Sequence, residues 1–321
     1  MYFNYAVISL SIFCIIVFKL SLVSLMVSFQ SGDWLFFAVK LMVVILLCYE
    51  ISKEWLNNLR PKKEAINQTT YDRSFLSVFM AVVGGAMLTA VLNHYLNLGP
   101  VIASSLVGLL GVVMMKKYQI PIYCGSFVGM ASLGVLANYS GILLAAGLSG
   151  FLFLIAGNVF IGFGGKLGAI AYFGTFLAAV LTGGIAETIR PDTVLLDWRL
   201  VFYFTLAAAG TYILNKRSVH GAVASSSLVG LLFALFIPFF HDTSAGFLAV
   251  GAFCGTFIGM SATSRLKNTG QILLAGIIGS LIFTYTQHYF IGLGGKLGAM
   301  AFVASIATAG IFDVMKNKRP H

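Results

Sequence analysis

The chain has 321 residues, 59% of them apolar and only 9% charged, with a formal net charge of +10. That apolar share exceeds what a soluble core needs, and the apolar stretches recur at about 17 to 25 residues, the length with which a helix crosses a bilayer. No alternating pattern marks a barrel, so the sequence predicts an all-α, polytopic membrane protein with about 12 transmembrane helices.

In chain order, hydropathy and charge place the spans at 5–29, 33–50, 74–97, 99–115, 119–137, 141–162, 167–185, 200–215, 219–240, 245–263, 270–289 and 297–312. The first two form an N-terminal transmembrane hairpin, 1–50, whose apolar start lacks the basic region and cleavage site of a secretory signal. The hairpin carries Lys19 near the middle of its span and Lys40 nearer an edge. A lysine that deep is expected to face protein, a lipid headgroup or a wet cavity. Residues 51–73 follow as a cytoplasmic basic loop with Lys53, Arg60, Lys62, Lys63 and Arg73.

Further basic residues, Lys116, Lys117, Lys216, Arg217, Arg265, Lys267, Lys316, Lys318 and Arg319, fall in alternate connections. By the positive-inside rule both termini are cytoplasmic, and the expected location is a plasma membrane of the bacterial inner-membrane type. Orientation and contact with anionic lipid account for the basic excess, and no basic domain outside the membrane calls for nucleic acid. Cys14, Cys48, Cys124 and Cys254 show no paired spacing, so helix-packing thiols are expected rather than disulfides or a metal centre.

A decapeptide occurs twice. FIGFGGKLGA at 160–169 and FIGLGGKLGA at 290–299 differ at one position, and their lysines lie 130 residues apart. The same offset aligns CGSFVGM from Cys124 with CGTFIGM from Cys254, and ILLA from Ile142 with ILLA from Ile272. Upstream, SSLVGLL from Ser104 meets SSLVGLL from Ser226 at an offset of 122. Self-similarity of this extent predicts a fold built from two copies of one unit.

An odd number of predicted spans separates each residue from its mate, so the mate enters the membrane from the opposite side. The charges agree, because Lys116 and Lys117 precede the CGSFVGM helix whereas Arg265 and Lys267 follow the CGTFIGM helix. The expectation is therefore two inverted-topology five-helix repeats, 74–185 and 200–312, joined by an extracytoplasmic linker at 186–199 and followed by a cytoplasmic tail at 313–321. Trp34, Trp55 and Trp198 suit membrane interfaces.

Inverted repeats commonly place a solute path at the interface of the halves. In each GGKLGA the glycines, Gly164 and Gly165 or Gly294 and Gly295, are expected to break the chain before Lys166 or Lys296 begins a new helix. A lysine at a helix start is unfavourable by about 0.3 to 1 kcal/mol unless something negative lies nearby. Neither copy has an acidic neighbour, and all ten acids fall in predicted loops or helix ends, which argues against a carboxylate proton relay. An ordinary turn with a snorkelling side chain also explains Lys166, predicted on the inner side, but explains Lys296 on the outer side less well.

Gly125 and Gly129, with mates Gly255 and Gly259, have the spacing of close helix packing. Ser126 and Thr256 sit between them, and Ser104, Ser105, Ser226 and Ser227 are hydroxyls that could line a polar path or hold helices together.

The expected function is a transporter or channel for a small anionic solute, carboxylate- or phosphate-bearing, with Lys166 and Lys296 as anion contacts. The two-times-five plan is similar to that of urea transporters, whose proline-rich and asparagine-containing motifs are absent here. That likeness implies an alternative, a channel for a small neutral solute with structural lysines. A non-catalytic membrane subunit or lipid-handling protein is a further alternative. No enzyme is expected, since His94, His220, His241 and His288 lie near predicted helix ends without carboxylate partners and no Ser/His/Asp set is apparent. No cofactor or metal is implied, the partners being the solute, membrane lipids and a possible second copy of the chain.

Overall fold

A computed structural model describes residues 41, 44, 45, 48, 49, 51–53, 75–157, 159–184 and 196–317. The first predicted span with Cys14 and Lys19, Lys40, Trp34, Trp55, most of the basic loop, linker residues 186–195 and tail residues 318–321 lie outside the described residues.

Among the described residues the secondary structure is helical, with no β-strand. The helices are α1 (Phe75–Ala90), α2 (Pro100–Met114), α3 (Gln119–Gly129), α4 (Leu133–Leu136), α5 (Tyr139–Ala156), α6 (Lys166–Thr182), α7 (Trp198–Arg217), α8 (Gly221–Phe236), α9 (Ala245–Gly259), α10 (Thr269–Thr286) and α11 (Lys296–Asn317). Five helical segments among the described residues are long and apolar enough to cross a membrane: Phe75–Tyr95, Tyr139–Ala156, Gly221–Phe239, Thr269–Thr286 and Lys296–Lys316. This is the composition of a helical membrane protein.

Local chemistry sets the helix ends. Pro100 opens α2 behind Gly99, where its missing N–H is no loss. Asp197 caps α7 by accepting from the Arg199 N–H at 2.9 Å, and Asn268 caps α10 by accepting from the Gln271 N–H at 2.9 Å. The predicted span 119–137 is not one helix. α3 stops at Gly129, and after a turn Ser132 starts the single-turn α4 by accepting from the Gly134 N–H. Eleven residues rise about 16 Å, roughly half of a bilayer core. The predicted span 245–263 likewise ends early, at Gly259.

The described chain forms two compact units. In the smaller (Met1–Asp72, Ile155–Ile161 and Ile306–His321), the Lys53 ammonium donates to the Asp313 carboxylate and Ser52 Oγ to the Cys48 carbonyl at 2.7 Å. The larger (Arg73–Leu154 and Gly162–Ser305) contains both GGKLGA turns. Within it α3 packs on α1, α2 and α6, while α9 packs on α7, α8 and α10, and α2 meets α8 across the two sequence copies.

The small-residue spacing has the expected effect. A Cβ at Gly125 or Gly129 would overlap the carbonyls of Val82 or Ala86 in α1, and one at Gly255 or Gly259 those of Phe204 or Ala208 in α7. Backbone therefore touches backbone along both pairs. Cys124 and Cys254, both buried, donate from sulfur to the carbonyls of Leu167 and Leu297 at 3.3 and 3.1 Å, tying α3 to α6 and α9 to α11.

Candidate functional site

The two GGKLGA turns have one conformation. Gly162 and Gly165 take φ values of 85° and 81°, and Gly292 and Gly295 take 86° and 78°, a region that a side chain strongly disfavours. Lys166 and Lys296 are the first residues of α6 and α11, as the sequence predicts. Phe160 and Phe290, which open the decapeptides, also have positive φ, 53° and 54°. For a bulky residue that conformation is strained and persists only when its surroundings enforce it.

Each turn is held at the end of the shortened helix of the other copy, α9 or α3. The Ala262 N–H, just past the end of α9, donates to the Gly162 carbonyl at 2.8 Å, and the Gly164 N–H donates to Ser261 Oγ at 3.0 Å. In the mate position the Ser132 N–H, just past α3, donates to the Gly292 carbonyl at 2.8 Å, and Thr175 Oγ1 donates to the Gly294 carbonyl at 2.8 Å. A Cβ at Gly164 would strike the Phe257 carbonyl, and one at Gly294 the carbonyls of Phe127 and Val128. The starts of α6 and α11 then meet directly: a Cβ at Gly168 would strike the Gly298 backbone, and one at Gly298 the Gly168 backbone. The two lysines thus belong to adjoining helix starts rather than to turns on separate faces.

The lysines themselves are half-buried. Lys296 Nζ donates to the carbonyls of Gln287 and Tyr289 at 2.8 and 2.9 Å, so its ammonium closes the end of α10 where the last carbonyls lack helical partners. Lys166 lies near Cys124 as Lys296 lies near Cys254. Beside the first turn the Arg265 guanidinium stacks on the Phe163 ring at 4.4 Å.

The predicted hydroxyl residues gather elsewhere, where α2 and α3 meet α8 and α9. Ser104, Ser105, Ser126, Ser226, Ser227 and Thr256 are all fully buried. Ser126 donates to the Tyr123 carbonyl at 2.8 Å, so the bond between Ser104 and Ser126, also 2.8 Å, must have Ser104 as donor. Thr256 donates to the Phe253 carbonyl at 2.6 Å, so Ser226 donates to Thr256 across 2.9 Å. The Tyr123 hydroxyl then donates to Ser226 at 3.0 Å, linking the two copies. Its mate, Phe253, has no hydroxyl to give.

Four rings fill the same centre: Tyr123 and Phe127 from α3, Phe253 and Phe257 from α9. The Phe127 and Phe257 centroids lie 4.8 Å apart across the copies, Tyr123 and Phe127 4.4 Å apart, and Phe253 and Phe257 4.7 Å apart. Tilted and edge-on contacts of this kind suit the ring quadrupoles. Sequence reasoning passed over these rings, although Phe127 and Phe257 stand inside the repeated heptapeptides and Tyr123 and Phe253 directly before them. It also missed Thr175 and Ser261, which hold the turns.

Other polar groups are occupied locally. His94 Nε2 lies 2.8 Å from the Ala131 carbonyl, and Tyr203 bonds His241 Nε2 at 3.0 Å. Among the described residues no group of three His, Cys, Asp or Glu could hold a metal ion. Comparison with protein-family models, with curated proteins and with solved structures gave no match.

Proposed function

We propose that the chain carries or conducts a small solute across a plasma membrane of the bacterial inner-membrane type. In this reading 74–185 and 200–312 are inverted-topology five-helix repeats, both termini are cytoplasmic, and the path follows the interface between the repeats. The protein acts by passage and not by reaction. The observation that carries the reading is the reciprocal lodging of each GGKLGA turn on the broken helix of the other copy. Two oppositely oriented units that meet in this way put helix breaks at mid-depth, where transporters of this plan bind their solutes.

Two solute classes remain, each with its own support. An anion is favoured by the adjoining starts of α6 and α11, where two helix N-termini and the lysines at their first positions concentrate positive charge. An uncharged solute is favoured by the Lys296 ammonium, which already has two carbonyl acceptors and serves the end of α10.

Flux in proteoliposomes across formate, phosphate, urea and glycerol, with Lys166→Met and Lys296→Met variants, separates them. Under the anionic reading either variant abolishes anion flux while the thermal midpoint holds. Under the uncharged reading Lys296→Met leaves flux per folded molecule intact and lowers stability by about 1 to 3 kcal/mol, the cost of orphaned buried carbonyls. A wild type that passes none of the four probes overturns the transport reading.

A further inference from the structure

Five buried hydroxyls lack partners among the described residues, Thr89, Ser105, Ser149, Thr211 and Ser227; Thr89 and Thr211 pack against Gly129 and Gly259, while Ser105 and Ser227 lie at the aromatic centre. Ser105 Oγ and Ser227 Oγ are both fully buried, both lack a hydrogen bond of good geometry and are repeat mates, with the Tyr123 hydroxyl standing beside Ser227. An unpartnered buried hydroxyl is costly, so the same orphan in both copies asks for an occupant that supplies the missing bond. Each faces a glycine of the other copy. The space that a methyl group would take at Gly108 is filled by the Ser227 hydroxyl and the Tyr123 ring, and the space at Gly230 by the Phe253 ring and the Ser105 hydroxyl. Two equivalent, closely packed settings result, differing in the phenol oxygen.

Proton counting adds a third open group. Ser226 accepts from Tyr123 while donating to Thr256, whereas Ser104 donates to Ser126 with no phenol at Phe253 to donate to it. The centre thus offers two hydroxyls, Ser105 and Ser227, with a proton to donate, and Ser104 accepts no bond from a side chain of the centre. The side chains named here hold no formal charge at neutral pH. An ion stripped of water would find no counter-charge among them, while a neutral molecule would lose little.

We propose that this centre, with Ser105 and Ser227 as the polar contacts, is the recognition site for a small uncharged solute that both donates and accepts hydrogen bonds, and that Tyr123 is its specificity-determining latch. The proposal rests on the transport reading and chooses between its two solute classes. In the closed arrangement the Tyr123 to Ser226 bond and the four stacked rings seal the centre. Passage requires the phenol to leave Ser226, which then offers a fourth hydroxyl to the solute.

The test uses the full chain in proteoliposomes, with urea and glycerol as uncharged probes and formate and phosphate as charged ones. An uncharged probe passes, and Ser105→Ala combined with Ser227→Ala slows it by about tenfold, the effect of lost solute hydrogen bonds. The thermal midpoint of this variant is unchanged or higher, because no protein hydrogen bond of good geometry is lost. Tyr123→Phe removes the latch and speeds passage. Unchanged flux in the double alanine variant, or a midpoint lower by several degrees, overturns the proposal. Flux of formate or phosphate alone overturns the solute class and leaves transport standing.

A second measurement is independent of the probe. In a parent lacking Cys14 and Cys48, Ser105→Cys and Ser227→Cys react with methyl methanethiosulfonate faster than the buried Cys124 and Cys254 do. Thiols that stay unreactive at both positions overturn the proposal even where transport holds.

Discussion

At the scale of single residues, the pairing of a side chain was harder to foresee than its place. The Gly-Gly-Lys order marks Lys166 and Lys296 as helix starts because a left-handed glycine followed by an apolar run has few other solutions. The partners of the Lys296 ammonium are the backbone carbonyls of Gln287 and Tyr289, and a carbonyl leaves no mark in a sequence. Asp197 gives a measurable case of the same local chemistry. Its carboxylate accepts from the Arg199 side chain and N–H, and the Arg199 guanidinium holds it below the usual carboxylate range. A carboxylate depressed by folding stabilises above its unfolded value, about 3.9, and loses that contribution as pH falls through the folded value. The thermal midpoint should therefore drop on acidification below about pH 4 in the wild type. Asp197→Ala should show no such step from this residue and should cost about 1 kcal/mol at neutral pH through the lost cap.

At the scale of elements, composition identified apolar segments but did not say where they break. Residues 119–137 read as one span because Met130, Ala131 and Ser132 are as compatible with a membrane helix as their neighbours. What ends α3 is tertiary: the Ser132 N–H is taken by Gly292 and the His94 ring contacts the Ala131 carbonyl, both far away in sequence. The glycine faces were legible, since only packing explains that spacing. Their burden can be measured. Gly125→Val and Gly255→Val should each destabilise by about 1 to 3 kcal/mol, as overpacking does, because the added atoms meet the backbones of α1 and α7 rather than movable side chains. Gly246→Val, where nothing lies within 4 Å, should by comparison leave the thermal unfolding curve nearly unchanged.

At the scale of the whole molecule, the repeat was plain in the sequence, and its two halves interlock through contacts that no offset could show. The aromatic and hydroxyl centre was half visible: its serines were named, while Tyr123 was hidden by being the position where the copies differ, Tyr against Phe. The proposed inverted arrangement makes a definite prediction for topology. Single cysteines at Lys117 and Lys267, in a parent without Cys14 and Cys48, should react with an impermeant maleimide from the cytoplasmic side. One at Thr243 should react only from the other side. Labelling of Lys117→Cys and Lys267→Cys from opposite sides would remove the inverted arrangement and the path built on it.

The lodging of each GGKLGA turn in the opposite copy also sets how far a substitution in one segment reaches. Gly164 abuts the carbonyl of Phe257 and Gly294 that of Phe127, while Gly168 and Gly298 abut each other. A larger residue in either decapeptide would displace a helix of the other half, and the displaced helix holds a ring of the shared centre. A change of size in either decapeptide is therefore felt in both copies, each serving as the mould of the other's socket.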